Sequence, residues 1–372
     1  MGRQAGRTTP LDALALGARE RFLLSLVWGS RGLGSFDPDV LADELPQPRI
    51  DAILQLFGDE VARHAPRSRL PAGTAESRPA ATDRIGPLER RYTDFYRVTR
   101  EQHGPDAPSL VAQSFDALLA DAYDPRQLQD LDERHLAMLW NAARTVAGLA
   151  PSPRHVEAME AVFDESVRRS RGQPPAERVR AMRNALLASH RFDAARQLGV
   201  RYPTAALSPL PAFIEPTGDH SSMRHGIWRM SGDGSRLQYE SLDLRGTRIV
   251  VTAGCHFSLD AVADISADPV LGPAFAGHAY WLMQPPGVED IDAVREWNRR
   301  FSRAPALMIH DREGWPMLAD WPMPEFHVLQ DGRIVDSLTG WPRGDDGRQR
   351  EALMGMLRRA GLIGHVRPRR AP

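Results

Sequence analysis

The chain contains a single cysteine, Cys255, in a setting where its thiol could act as a nucleophile. The apolar residues 249–251 lead into it, and the amphipathic stretch that follows is typical of a helix. This pattern predicts a thiol between a buried strand and the first turn of a helix, where backbone N–H groups and the helix dipole favour thiolate over thiol. The opposite interpretation is that Cys255 fills a core, because free cysteine is often buried.

Two residues after Cys255 have side chains that could assist a thiolate. His256, the next residue, could add positive charge, and the Ser258 hydroxyl, three residues on, could donate a hydrogen bond to the sulfur. Cys255, His256 and Ser258 are therefore candidate catalytic residues.

Composition excludes several other chemistries. With 372 residues, two domains are expected, and 42% hydrophobic with 26% charged residues is ordinary for a globular protein. A net charge of −1 predicts no nucleic-acid partner. The chain has no lysine, which excludes Schiff-base and lysine general-base mechanisms. The histidines show neither HxxxH nor HxH spacing, so the sequence predicts no metal site.

The sequence also carries expectations about location. One cysteine excludes an intrachain disulfide, which fits a reducing compartment. Charged residues at Asp12, Arg19, Glu20 and Arg21 interrupt the apolar N-terminal segment, so neither a signal peptide nor a membrane span is expected. We therefore expect a cytoplasmic protein, provided that the chain begins at its true start codon.

Residues 1–205 show helical periodicity and predict a helical domain, interrupted at 65–87 by a flexible loop rich in Pro, Ala, Gly, Ser and Arg. The apolar spacing near the N-terminus indicates helix as far as Trp28, and GSRGLG at 29–34 is interpreted as a helix end and loop. ALLASHRFDAARQL is similar to the second half of a tetratricopeptide unit, with small residues at Ala188, Ala194 and Ala195. No clean period accompanies it, so an irregular bundle is an equal alternative. Either architecture suits a surface that binds a protein partner.

A proline-rich segment at 206–224 predicts a linker, after which the pattern changes. Residues 225–363 predict the order β-α-β-α-β-β-α, with an Asp331-Gly332 hairpin turn between the last two strands. Residues 364–372 are an arginine-rich basic tail. The expected class is therefore a helical domain followed by an α/β domain.

The predicted order, with a cysteine between a strand and its helix, resembles the thioredoxin fold over about residues 225–363. Cys255-His256-Phe257-Ser258 stands where that superfamily carries its CxxC motif. WPMPEFHVLQDGRIV is similar to the cis-proline segment, in which Pro324 matches the proline and Met323 the residue before it. The lead-in SGDG…LDLRGTRIVV looks like the N-terminal hairpin of the redoxin branch.

The resemblance implies a redox function with one thiol in place of two. Ser258 replaces the second motif cysteine, so a mixed disulfide at Cys255 requires an external resolving thiol such as glutathione, and no other cofactor is expected. The family's geometry implies that Met323 and Pro324 form the other wall of the site, and Phe257 and Trp321 are further candidates for substrate binding. The helical domain would recruit the protein substrate.

Two alternatives remain open at this point. In the first, the domain is a redox-inactive scaffold or interaction module, because Thr252, Ala253 and Gly254 replace the aromatic residues that thioredoxins usually place before the motif. In the second, the protein is a thiol peroxidase, because Thr252 and Cys255 fit the TxxC part of the peroxiredoxin motif; Thr252 is then a further candidate catalytic residue, which would orient peroxide beside the thiolate. Arg248 stands where that family has proline.

Overall fold

The structure is a computed structural model that describes residues 9–14, 16–29, 32–70, 85–102, 104, 106–216, 224–318, 321–344 and 347–364. The chain divides into two compact units, residues 1–172 and 173–372. The expected combination of helices with a mixed β-sheet is confirmed. Most of the predicted loop (71–84), part of the predicted linker (217–223) and nearly all of the basic tail (365–372) lie outside the described residues. Among the described residues, no helix has the length and apolar character needed to cross a membrane.

The first unit is mainly helical. Its helices are α1 (Leu16–Leu24), α2 (Pro38–Glu44), α3 (Gln47–Gln55), α4 (Asp59–Ala62), α5 (Pro87–Glu101), α6 (Ala107–Leu118), α7 (Pro125–Asp130), α8 (Glu133–Leu149) and α9 (Pro153–Arg169), with 3-10 turns at Pro10–Ala13 and Ala120–Tyr123. The helical pattern extends to Trp28, but the chain leaves the helix after Leu24 and forms an antiparallel hairpin, β1 (Val27–Gly29) and β2 (Gly32–Ser35). Gly29, where β1 ends, and Gly32, where β2 begins, disfavour a continuation of the helix through this segment.

A buried ion pair links the first helix to later ones in this unit. Arg21 on α1 donates a hydrogen bond to Glu89 on α5 over 3.0 Å, and both side chains are almost fully buried. Glu89 also accepts from the Gly86 backbone N–H at the start of α5 and pairs with Arg134 on α8. Removing one partner leaves the other charge buried and unpaired. Such a change typically lowers the free energy of unfolding by about 3–5 kcal/mol.

The second unit contains an eight-stranded mixed sheet. Its elements are α10 (Ala176–Ala188), α11 (Phe192–Arg201), a 3-10 turn (Pro203–Ala205), β3 (Ala212–Ile214), β4 (Gly226–Met230), β5 (Arg236–Ser241), β6 (Thr247–Thr252), α12 (His256–Ala267), α13 (Leu271–His278), β7 (Ala279–Met283), α14 (Ile291–Arg300), β8 (Ala306–Ile309), a 3-10 turn (Pro316–Leu318), β9 (Glu325–Gln330), β10 (Arg333–Thr339) and α15 (Arg348–Arg359). The strand order is β10-β9-β6-β7-β8-β4-β5-β3. Strands β6, β7 and β8 are parallel, and β9 runs antiparallel to β6.

Alternate residues of the central strands enter two different cores, as strand geometry requires. Val250 of β6 joins a cluster that includes Leu282, Trp315 and Trp321. On the α13–α14 side, Trp281 packs against Phe275 of α13 and Trp297 of α14, with ring centroids 5.9 and 5.6 Å apart. Burial on both faces explains why residues 249–251, in the middle of β6, are a continuous apolar run.

The boundary between the units differs from the predicted domain end at residue 205. Helices α10 and α11 belong to the second unit, and the predicted linker contributes β3, which pairs in parallel with β5. The cause is an aromatic cluster that periodicity does not reveal: Phe192 at the start of α11 stacks on Phe213 of β3 at 3.8 Å, and both rings meet Trp228 edge-on. Burial in the same region lowers the pKa of His190 to about 4, so its imidazole is neutral at pH 7.

The approach of α10 to the loop after β7 generates a test of this packing. Gly287 has φ +92°, and a methyl group built on it would overlap the carbonyl oxygen of Asn184 and lie 2.8 Å from the backbone nitrogen of Ala188. We expect Gly287→Ala to lower the free energy of unfolding by roughly 2–5 kcal/mol, from a left-handed alanine and a backbone collision.

Gly277→Ala is the matched control for denaturant unfolding of the full chain. Gly277 lies in α13 with no atom within 4 Å of a built methyl group, so alanine there should leave stability equal or slightly higher. Equal stability of the Gly287→Ala and Gly277→Ala variants would contradict the described packing of α10.

Candidate functional site

Cys255 lies at the carboxyl end of a central strand of the sheet. After β6 ends at Thr252, the backbone passes through Gly254 and reaches Cys255, which is the N-cap residue of α12. The side chain of Cys255 is partly exposed. Cys255 is therefore not sealed in a core, and it occupies the N-terminal end of α12, although its side chain accepts no capping hydrogen bond from the helix.

Two oxygen atoms contact the sulfur. The Cys255 thiol donates a hydrogen bond to the backbone carbonyl of Met323 over 3.3 Å, and Sγ lies 3.4 Å from the hydroxyl oxygen of Ser258. Ser258 is fully buried, so its hydroxyl is held against the sulfur with little freedom to move. The structure thus brings together three residues that the sequence analysis singled out: Cys255, Ser258 and Met323.

The segment opposite the thiol is held by Thr252. The Met323–Pro324 peptide bond is cis. The Thr252 hydroxyl donates to the carbonyl of Pro322 and accepts from the backbone N–H of Glu325 over 3.2 Å, and its side chain is fully buried. Its two partners are on the cis-proline segment, which makes Thr252 a positioning residue; the peroxidase interpretation would need the hydroxyl at the thiolate.

Trp321 and His256 make other contacts in the structure. Trp321 is 5% exposed and belongs to the core cluster on the Val250 face of the sheet, so it does not form the wall of a substrate groove. His256 is exposed, and the centroid of its ring lies 3.9 Å from that of Phe257.

Three segments near Cys255 or Gly254 in the chain or in space each carry an exposed apolar side chain. Phe257 on α12, Val288 after β7 and Met323 before β9 are 39%, 46% and 38% exposed, respectively. The segment of Met323 approaches the residue before Cys255, because a methyl group built on Gly254 would lie 3.1 Å from the Met323 sulfur. We call Phe257, Val288 and Met323 the apolar rim.

Glu289 is a site residue that the sequence analysis did not identify. Its Oε2 atom lies 2.7 Å from the position of a methyl group built on Gly254, the residue before Cys255. Burial raises the pKa of Glu289 to about 7, although a hydrogen bond from the Asp290 backbone opposes the shift. The available signal was topological: Glu289 follows β7, and the carboxyl ends of neighbouring parallel strands lie at one edge of the sheet.

Comparison with protein-family models, with curated proteins and with solved structures finds no match for this chain. A partly exposed thiol at a helix N-terminus, a buried hydroxyl, a carbonyl and a carboxyl that titrates near neutrality can support nucleophilic attack by sulfur and movement of a proton.

The raised pKa of Glu289 predicts a pH effect on stability. Because the folded-state pKa of about 7 exceeds the ordinary value of 4.5, the folded protein binds more protons than the unfolded chain between these values. The contribution of this carboxyl to stability therefore falls as pH rises through that window. We expect Glu289→Gln to remove the loss, which amounts to about 1–2 kcal/mol after allowance for partial exposure.

The measurement is the difference in unfolding free energy between variant and parent from pH 4 to pH 8. Glu157→Gln, at an exposed position on α9, is the control and should leave the pH profile of the parent unchanged. A Glu289→Gln difference that stays constant over the range would show that Glu289 titrates normally.

Proposed function

We propose that this chain is a monothiol thiol–disulfide oxidoreductase, with Cys255 as the nucleophile of a thioredoxin-like domain and an external thiol as resolving partner. The observation that carries the proposal is the partly exposed sulfur at the first turn of α12, in contact with the carbonyl of Met323. A residue that only filled a core would be sealed beneath its neighbours.

The topology around the thiol supports the thioredoxin-like interpretation. In that superfamily, the motif cysteine follows a central parallel strand, and a cis-proline opens the antiparallel strand beside it. Here Cys255 follows β6, which is parallel to β7, and the cis bond at Met323–Pro324 precedes β9, which is antiparallel to β6.

The proposed reaction transfers glutathione from the protein substrate to Cys255, and then from Cys255 to a second glutathione. The Cys255 thiolate attacks a mixed disulfide between a protein and glutathione; a bond forms between Cys255 and the glutathione sulfur, and the protein leaves as a thiolate that takes up a proton. A second glutathione thiolate then attacks the Cys255 disulfide, which releases oxidised glutathione and restores the Cys255 thiolate. The mixed disulfide and one free glutathione thereby become one protein thiol and one molecule of oxidised glutathione.

Other residues of the site have supporting roles in this proposal. The hydroxyl of Ser258 stabilises the thiolate by donating a hydrogen bond, since it lies 3.4 Å from the sulfur. Glu289 titrates near neutral pH beside Gly254, which suits a group that accepts the thiol proton or returns one to a leaving thiolate. The apolar rim receives the protein part of the substrate.

The first test is removal of the nucleophile. With a glutathionylated peptide as substrate and glutathione as reductant, we expect the full chain to accelerate release of the peptide thiol. Cys255→Ser should reduce the rate to that of the uncatalysed exchange, because no other cysteine is present. Ser266→Ala, at an exposed position on the same helix, is the control and should retain the parental rate.

The outcomes separate the oxidoreductase from the scaffold alternative. Activity retained in Cys255→Ser would exclude this cysteine as nucleophile. A parent protein that shows no acceleration, with a thiol that does not react with a disulfide reagent in the native state, would favour a redox-inactive interaction module.

The second test restores the missing motif cysteine. In Ser258→Cys, two thiols face each other three residues apart, where the oxygen and sulfur now lie 3.4 Å apart, so we expect mild oxidation to form an intramolecular disulfide. Thiol titration and intact-mass measurement report the loss of both thiols. Ser266→Cys adds an exposed thiol farther along α12 and should keep both thiols titratable; the same result for Ser258→Cys would contradict the CxxS geometry.

A further inference from the structure

The loop after α10, the end of β3 and the end of β8 bring three potential metal ligands together. One ring nitrogen each of His190 and His310 and a carboxylate oxygen of Glu215 lie within 4.8 Å of one another. Both histidines are partly buried, and Glu215 is exposed. The three residues are far apart in the sequence, so the search for HxxxH and HxH spacing did not find them.

The ring of His310 is oriented by a neighbouring carboxylate. Nδ1 of His310 lies 2.6 Å from Oδ2 of Asp311, whose other oxygen accepts the Gly314 backbone N–H over 2.7 Å. A carboxylate or carbonyl on the second nitrogen is the usual support of a metal-binding histidine, because it fixes the tautomer and orients the ring.

Aromatic packing holds both rings in place. His310 stacks on Trp228 with centroids 5.6 Å apart and meets Tyr239 edge-on at 4.9 Å. His190 stacks on Phe192 at 5.6 Å and meets His310 edge-on at 4.1 Å. Two ligands are thus preorganised, and the exposed Glu215 side chain is the one that must move to complete a site.

We propose that His190, Glu215 and His310 bind a divalent transition-metal ion, with zinc as the preferred ion and Asp311 as a positioning residue. Two imidazoles and one carboxylate are a common zinc ligand set, with bonds of about 2.0–2.2 Å and a fourth position left for water or a further ligand. The ion would join the α10–α11 turn to the ends of β3 and β8, and so stabilise the helical hairpin on its own sheet.

The test uses the full chain, treated with a chelator and then titrated with zinc in competition with a chromogenic chelator. We expect one zinc ion per chain and a rise in the thermal unfolding midpoint on zinc addition. His190→Gln, His310→Gln and Glu215→Gln should each weaken zinc affinity at least tenfold, and Asp311→Asn should weaken it about 10- to 100-fold. Cobalt substitution should give a visible absorption spectrum that His310→Gln abolishes.

Two controls keep the result interpretable. Cys255→Ser should bind zinc with parental affinity, which excludes the thiol as the ligand, and His64→Gln, at an exposed histidine of the first unit, should do the same. Since Glu215 is exposed, its variant keeps the fold and remains informative if a histidine variant unfolds. No zinc binding below about 100 µM, or binding unchanged in Glu215→Gln and His190→Gln, would overturn the proposal. Because Cys255 is not a proposed zinc ligand, the outcome of the zinc-binding test is independent of the proposed oxidoreductase activity.

Discussion

The antiparallel register between β6 and β9, with Thr252 opposite Glu325, is the constraint on which the thiol site depends. It fixes where the chain preceding β9 passes, and so brings the carbonyl of Met323 to 3.3 Å from the sulfur of Cys255. The buried Thr252 hydroxyl bonds to both sides of Met323–Pro324 and would lose these bonds if the register slipped. Because a slip of one residue also turns every side chain of β9 to the other face, burial on both faces protects this register.

The carboxyl edge of the parallel strands concentrates the chemistry of the second unit. Cys255 follows β6, Glu289 follows β7 and His310 follows β8, so three neighbouring strands each deliver one reactive group to the same edge. In open α/β sheets, loops at this edge are free to vary while the strands hold their ends in place. The proposed thiol site and the proposed metal site are thus consequences of one arrangement of strands.

The pattern of residues 225–363 predicted most strands and helices of the sheet region, since alternating or continuous apolar runs and the Asp331-Gly332 turn are local signals, but it did not predict α13. The same reasoning placed the domain boundary after α11, because periodicity reports that a helix has an apolar face and not what that face contacts. Phe192 stacks on Phe213, a contact between segments separated by the proline-rich stretch. Trp321 likewise could not be assigned to a groove or a core until its neighbours were known.

The amino-acid sequence by itself set the chemical inventory: one thiol, no lysine, a serine where a second cysteine would allow dithiol exchange, and a strand–helix junction around Cys255. These are covalent or short-range properties, so they can be read from neighbouring residues. Only the tertiary structure decided that the sulfur is accessible, that Glu289 lies beside Gly254 with a raised pKa, and that His190, Glu215 and His310 converge. Exposure, desolvation and ligand convergence arise from strand order and packing between distant segments, which no local pattern encodes.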